Sequence, residues 1–286
     1  MYISTTTSPF ERYGDDKAIL SLLKESGFTA YDYCMCGSYG LEMLRQDDYI
    51  ERAKALRAYA DKIGLPCNQT HAPFPIYIQD NEEYNQRIIP EIIRSIEISG
   101  ILGAKVCVVH PCNNFKPEQN VKLYLMLAES ARKAGVKIGV ENMWNWWHWG
   151  EPEGHVMPAA CSLPDDFFAH MELLPKDVFV ACVDIGHAEM MHAFGCSAEK
   201  IIRKLGSYMQ SMHLHDVDLV YDNHSFPFIQ KIDYEPIIDA LKEIGYQGDI
   251  TMEANLPSSN LPVELIPSAA RYLAEIGKYF KNKIEK

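Results

Sequence analysis

Four short phrases in the second half of the chain each end an apolar run with a group able to ligate a metal or carry a proton. They are Val140-Glu141-Asn142, Val183-Asp184-Ile185-Gly186-His187, Met212-His213-Leu214-His215-Asp216 and Met252-Glu253-Ala254-Asn255. Mixed carboxylate and imidazole ligation suits Mn²⁺, Zn²⁺, Co²⁺ or Fe²⁺, and residue types do not choose among them. Each phrase also has a plain structural use. A glutamate closing a buried strand can cap a loop or pair with a lysine, and an aspartate can start a turn or cap a helix. His213 and His215 alternate by two and share one face of a strand, so both can point into a site, or one can be satisfied by backbone groups. Recurrence decides between these uses. Four successive runs ending in good ligands point to one metal centre with a position left open for substrate oxygens.

Earlier runs add His71, in Thr70-His71-Ala72-Pro73, and His110, in Val109-His110-Pro111. Either can be a second-metal ligand, a substrate hydrogen-bonder or a filler of the site's mouth. Asp222 and His224 lie in Tyr221-Asp222-Asn223-His224-Ser225-Phe226-Pro227, where they can ligate, bind substrate or shape the turn. With His187 they are the candidates for a second metal. All the tryptophans, Trp144, Trp146, Trp147 and Trp149, follow Glu141 closely. The stretch onward to about Leu163 carries Gly150, Pro152, Gly154 and Pro158 and reads as a long loop, a kind usually functional or disordered. Aromatic faces pack on the C–H faces of sugars and indole N–H groups bond hydroxyls, which makes Trp144 and Trp146 candidates for covering a carbohydrate. A subunit interface is the competing use, so a homo-oligomer is a second expectation.

These groups need a scaffold that brings distant runs together. Apolar runs rich in Val, Ile and Tyr occupy residues 2–7, 30–35, 66–71, 105–110, 137–141, 178–184, 209–215 and 249–253, and each predicts a strand. Helical spacing lies between them. Asp47 can cap a helix that places Ala53, Leu56, Ala60 and Ile63 on one face and ends at Gly64. Val121, Tyr124, Leu125 and Ala128 precede Gly135, and Ile237, Ile238, Leu241 and Ile244 precede Gly245. Residues 261–280 read as a closing helix. Alternating strands and helices imply parallel pairing through βαβ crossovers, and near-continuous apolarity fits strands covered on both faces. Eight such units predict an α/β fold, a (β/α)8 TIM barrel spanning residues 1–286 as a single domain. An open doubly wound sheet is the alternative, but no Gly-x-Gly-x-x-Gly follows the first run. Barrel sites lie at the carboxyl ends of the strands, which is where the four phrases fall.

Net charge is −12, which disfavours a partner bound mainly through a phosphate backbone, so nucleic acid is not expected. No apolar run approaches the roughly 18 residues of a spanning helix, so no membrane partner is expected. The eight cysteines contain no Cys-x-x-Cys pair and read as reduced thiols. Met1-Tyr2-Ile3-Ser4 lacks the basic start of a signal peptide, and a cytoplasmic location is the expectation.

The stretch Met212-His213-Leu214-His215-Asp216, then Asp222-Asn223-His224-Ser225-Phe226-Pro227, then Ile232-Asp233-Tyr234-Glu235-Pro236-Ile237-Ile238, then Leu241 to Gly248 and Met252-Glu253 resembles the carboxyl half of the xylose-isomerase-like barrel superfamily. That group includes sugar and sugar-phosphate isomerases, ketose 3-epimerases, inosose dehydratases and type IV apurinic endonucleases. The resemblance implies that Glu141, Asp184, His213 and Glu253 are ligands of one divalent metal. It also implies that Glu141 and Glu253 are catalytic and handle the proton at the reacting carbon, and that His187 binds substrate. In this logic the metal chelates adjacent carbonyl and hydroxyl oxygens and so acidifies the C–H between them. The implied activity is a sugar, sugar-phosphate or sugar-acid isomerase or epimerase. His71, His110, Trp144, Trp146 and His224 join His187 as candidate substrate-binding residues. Two departures matter. Residues 216–223 hold no arginine or lysine where ketose epimerases often carry an arginine, and Met143-Trp144-Asn145-Trp146-Trp147 replaces the glycine-rich run of the endonucleases. The alternatives are a metal-dependent dehydratase or lyase on a polyol or glycoside, a type IV-like apurinic endonuclease, and a non-catalytic sugar-binding barrel.

Overall fold

A computed structural model of the chain describes residues 1–148, 151, 154–257 and 260–286. Eight strands lie inside the predicted runs: β1 (Ile3–Thr5), β2 (Tyr31–Cys34), β3 (Cys67–His71), β4 (Val106–Val109), β5 (Lys137–Glu141), β8 (Phe179–Asp184), β9 (Met209–His213) and β10 (Ile250–Met252). Between β5 and β8 stand β6 (Trp144–Trp147) and β7 (His155–Pro158). Six strands hydrogen-bond in the order β2-β3-β4-β5-β8-β9, and β1 pairs with β10. Parallel bridges at Thr6↔Asp32 and Leu214↔Met252 join the two groups, so the sheet curls into a closed α/β barrel.

Helices α1 (Asp16–Ser26), α2 (Ser38–Arg45), α3 (Tyr49–Ile63), α4 (Glu82–Leu102), α5 (Pro117–Leu125), α6 (Ala128–Ala134), α7 (Pro164–Leu173), α8 (Ile185–Met190), α9 (Ala198–Leu205), α10 (Glu235–Glu243) and α11 (Ile266–Ile284) connect the strands. Four local expectations are corrected. Asp47 does not cap α3: the helix starts at Tyr49, the cap position is Asp48, and Asp48 makes no capping bond but pairs with Arg52 at 3.1 Å. The end of that helix is as expected, with Gly64 in the left-handed region at φ 66°. The run preceding Gly135 is two helices rather than one, and Leu125 is exposed while Val121, Tyr124 and Ala128 are buried. The closing helix starts at Ile266, with Pro267 in its first turn. The segment after Glu141 is partly a β6–β7 antiparallel hairpin, Trp144 opposite Pro158 and Trp147 opposite His155. Trp149, Gly150 and Pro152 lie outside the described residues.

The period-two rule sets the barrel interior. Val106 and Val108 of β4 meet Val180 and Cys182 of β8 in a cluster of their own. Gly139 of β5 leaves room for them, since a Cβ there would lie 2.9 Å from Val106 Cγ1 and 3.4 Å from Cys182 Cβ. The alternate residues Cys107, Val109, Ile138, Val140, Ala181 and Val183 join the large core beneath the helices. Two positions beyond Val108, Gly139 and Cys182 come His110, Glu141 and Asp184. The next interior layer is therefore polar, at the carboxyl ends of the strands. Among the described residues no helix is long and apolar enough to cross a membrane.

Candidate metal centre

Glu141, Asp184 and His213 are the last residues of β5, β8 and β9, and Glu253 follows the last residue of β10. One donor atom from each lies within 4.8 Å of the other three. His213 Nδ1 is 2.7 Å from Glu141 Oε1, 3.1 Å from Glu253 Oε2 and 3.9 Å from Asp184 Oδ2. His71, ending β3, and His110, following β4, stand 3.5 and 3.0 Å from the other oxygen of Glu141. Glu141 thus turns one oxygen to each of two imidazole sets, a posture that can serve two ions.

A second cluster adjoins the first. Asp222 Oδ2 is 3.2 Å from His187 Nε2 and 3.1 Å from His224 Nε2. His215 belongs here as well. Its ring stacks on His224 at 4.0 Å, and its Nε2 faces both oxygens of Asp184 at 2.9 and 3.0 Å. The sequence put His215 on the right face but left its use open.

The structural uses weighed for these residues coexist with the cluster. Asp184 Oδ1 accepts from the His187 backbone N–H at 2.7 Å and so caps α8. Asn142 clamps the Asp184 backbone, donating to its carbonyl at 2.9 Å and accepting from its N–H at 2.8 Å. His71, His187 and His224 each direct Nδ1 at a backbone carbonyl, of Ala72, Asn142 and Glu253, at 2.8, 2.9 and 2.7 Å. A carbonyl only accepts, so Nδ1 carries a proton in each, and on loss of the second proton the lone pair falls on Nε2, facing the cluster, the tautomer a metal requires. His224 holds this pose with φ 44°, in the left-handed region that side chains rarely adopt. His213 is the reverse case, Nδ1 inward and Nε2 2.8 Å from the Gln69 side-chain amide, which also accepts from the Ser211 hydroxyl. Gln69 was not picked out from the sequence, yet it lies two residues before His71 on β3, and that parity marks it as interior.

The electrostatics follow from burial and proximity. Burial alone would raise the Glu141 carboxyl, but His213 and His110 outweigh it and hold its pKa well below the usual range. Asp222 is held low against its burial by His187 and His224. Burial would lower His71 and His224, but Glu141 lifts the first to about 9 and Asp222 lifts the second to about 10. For His110 burial prevails and the pKa falls. Asp222 Oδ1 is buried without a hydrogen-bond partner among the described residues, and Glu141 Oε2 meets only the imidazoles of His71 and His110. Buried carboxylates so crowded call for positive charge, and no lysine or arginine lines the cavity above them. The residues present therefore fit one or more divalent cations.

That cavity, of about 690 Å³, is lined by His71, His110, Glu141, His187, Asp222, His224 and Glu253 on one side and by Phe74, Tyr77, Phe115, Trp144 and Trp146 on the other. Trp144 Nε1 donates to Asp222 Oδ2 at 3.2 Å, and Trp146 stacks on Tyr221 at 5.3 Å. Trp147 is half exposed and is not among the lining residues. Another cavity of about 720 Å³ opens at the amino-terminal end of the strands, around Asn68, Lys105, Lys137 and Tyr246, and no cluster of candidate metal ligands lines it. Cys161, Asp166 and His170 also lie together, but their bonds close the turn into α7: Asp166 accepts from the Cys161 N–H at 2.7 Å, and its carbonyl accepts from His170 Nδ1 at 2.8 Å.

Comparison with known proteins bears on the fold. The uncharacterized protein MJ1311 of Methanocaldococcus jannaschii is 28% identical over 196 residues, 64% of this chain, and the match spans 62% of that relative's length. In structure the chain is similar to a D-tagatose 3-epimerase-like protein, with TM-score 0.75, 22% identity and coverage of 100% and 98% of the two chains. It is similar also to a D-psicose 3-epimerase determined in the presence of D-fructose, at 0.75, 14%, 98% and 99%. A third similar structure is 3-keto-D-glucoside 4-epimerase, YcjR, from E. coli, at 0.68, 16%, 96% and 99%. At these identities the likeness is one of fold. Residues 20–276 match the model of the xylose isomerase-like TIM barrel, which shows that the chain belongs to that family.

Proposed function

We propose that the protein is a divalent-metal-dependent isomerase or epimerase of a sugar or sugar derivative. The observation that carries this reading is the ring of donors from Glu141, Asp184, His213 and Glu253, within 4.8 Å of one another beneath an aromatic-walled cavity. Those four would hold one ion, with His71 beside Glu141 and His213 able to join them, and His187, Asp222 and His224, joined by His215, would hold a second. When bound, the ion would polarise a substrate carbonyl and acidify the neighbouring C–H. Glu141 and Glu253 reach the centre from strands separated in the closed sheet by β8 and β9, so they approach from different directions. Glu253 keeps 21% of its side chain exposed against 1% for Glu141, which suits it to meet the substrate's proton first. Return of the proton to the opposite face gives an epimer, and return at the adjacent carbon gives an isomer. The similar structures are named as epimerases of sugars, which supports a carbonyl-bearing sugar as substrate. The −12 charge and the cation-free cavity lining support a small substrate over a nucleic acid.

The test is solvent exchange. Mn²⁺-loaded protein incubated with a panel of keto sugars in D₂O should place deuterium beside the carbonyl. Glu253→Gln should lower that rate by about 10² or more, with circular dichroism and bound Mn²⁺ measured alongside to separate chemistry from loading. Exchange into none of the sugars would refute the proposal. Loss of water or aglycone without an epimer would move the reading to a dehydratase or lyase.

A further inference from the structure

The cavity above the metal centre extends well past the ligands. Its volume of about 690 Å³ lies within the roughly 300–1,000 Å³ that encloses drug-sized ligands. One sugar ring at the metal end leaves the outer half to be filled. Three separate connections build that half. Phe74 and Tyr77 follow β3, Phe115 follows β4, and Trp144 and Trp146 follow β5. The rings are held in place. Phe74 stacks on His110 at 4.3 Å, Tyr77 lies 5.2 Å from Phe115, and Trp146 stacks on Tyr221 at 5.3 Å.

The polar groups of the outer wall are largely committed. Asn113 donates to the Trp144 carbonyl at 3.0 Å, and Asn145 donates to Asn114 at 3.0 Å. No lysine or arginine stands among the lining residues, so a phosphate or carboxylate at the far end of a substrate would meet no side-chain cation. Phe74 is 49% exposed at the mouth, an apolar face that the core does not need.

We infer that this outer half is a subsite for an uncharged planar second ring, so that the substrate is a keto sugar whose ring also bears an aryl aglycone. The inference rests on the proposed function in one respect, that the sugar's oxygens occupy the metal end. The aglycone then lies between the Phe115 side and the Trp146 side, and the hairpin β6–β7 becomes a specificity element.

The experiment is calorimetric titration of the Mn²⁺-loaded full chain with p-nitrophenyl glycosides, their parent sugars, the corresponding disaccharides and the sugar 6-phosphates. The best aryl glycoside should bind about tenfold or more tighter than its parent sugar. Tyr77→Leu and Phe115→Leu should each erase most of that gain while leaving parent-sugar binding and Mn²⁺ affinity unchanged. Using both variants guards against one of them misfolding. Aryl glycosides no tighter than parent sugars, a disaccharide or 6-phosphate binding tightest, or variants that weaken parent sugars equally would each overturn the inference. Deuterium exchange reads the other proposal separately. Aryl preference without exchange keeps the subsite and removes the isomerase reading, and exchange of free ketoses without aryl preference does the reverse.

Discussion

At the scale of the residue, the centre turns on which nitrogen of each histidine is free. His71, His187 and His224 have Nδ1 tied to backbone carbonyls, so their state is set by the fold. His213 instead depends on a side chain. With Nδ1 on a metal, its Nε2 must carry the proton, and the Gln69 amide must turn its oxygen to accept it. Gln69→Leu should therefore weaken metal affinity by roughly 10–100-fold, the usual effect of losing such a partner. Gln69→Glu, which keeps an acceptor, should retain most of it. Competition with a chelating dye reads this directly, and equal loss in both variants would point to packing alone. Proton competition gives a second prediction. In chelator-stripped protein the pKa values of about 9 and 10 put protons on His71 and His224 at neutral pH, and a metal has to displace them. Apparent affinity should rise as pH goes from 6 towards 9 and flatten near 10. Affinity independent of pH in that window would mean that these imidazoles are not ligands.

At the scale of the element, strand parity made most of the site legible and helix packing hid the rest. Glu141, Asp184, His213 and Glu253 could be read because each closes an apolar run and the period of two fixes the face. The use of His215 could not be read, because it depends on α8 lying against its ring. Gly186 of that helix has no room for a side chain, since a Cβ there would lie 2.1 Å from His215 Cε1. Gly186→Ala should push His215 away from Asp184 and loosen the cap of α8. The expected outcome is reduced metal loading at the His187–Asp222–His224 cluster and a stability loss of about 1–3 kcal/mol. Metal analysis and denaturant unfolding check the two parts, and an unchanged metal content would separate α8 from the centre. The hairpin was missed for another reason. Trp-Asn-Trp-Trp against His-Val-Met-Pro has no alternation of apolar and polar residues, and only the pairing across strands defines it. The missed cap of α3 has a similar cause: the cap position falls to Asp48, which pairs with Arg52 one turn on, and a single-position rule does not see it.

At the scale of the whole molecule, the candidate metal centre joins parts of the chain that are far apart in sequence. Its candidate donors come from the ends of β3, β5, β8, β9 and β10, from α8 and from the loop after β9, so one or two ions would bind most of the barrel's circumference into a single unit. The barrel was legible because eight strand–helix units have few ways to close. Its polar top layer is the part that works against folding, for it buries Glu141 and Asp184 beside the partly buried Asp222 and Glu253 in a chain already at −12. Histidines offset part of that repulsion, and they do so best when protonated, the form a metal replaces. A ligand that binds only the folded state adds about 4 kcal/mol at a thousandfold excess over its Kd. At roughly 2–4 °C per kcal/mol for domains approaching this size, chelation by EDTA should lower Tm by about 8–16 °C, and added Mn²⁺ or Zn²⁺ should restore it. Because the donors span the sheet, the loss of amide-exchange protection should extend to β3 and β10 as well as β5 and β8. Glu253→Gln removes one donor and should shrink the metal-dependent part of the shift, and it should also lower the metal-free Tm, since His213 and His224 lose the carboxylate that they hold in its charged form against its burial. A Tm indifferent to EDTA and Mn²⁺ alike would show that the crowded carboxylates are settled by the histidines alone.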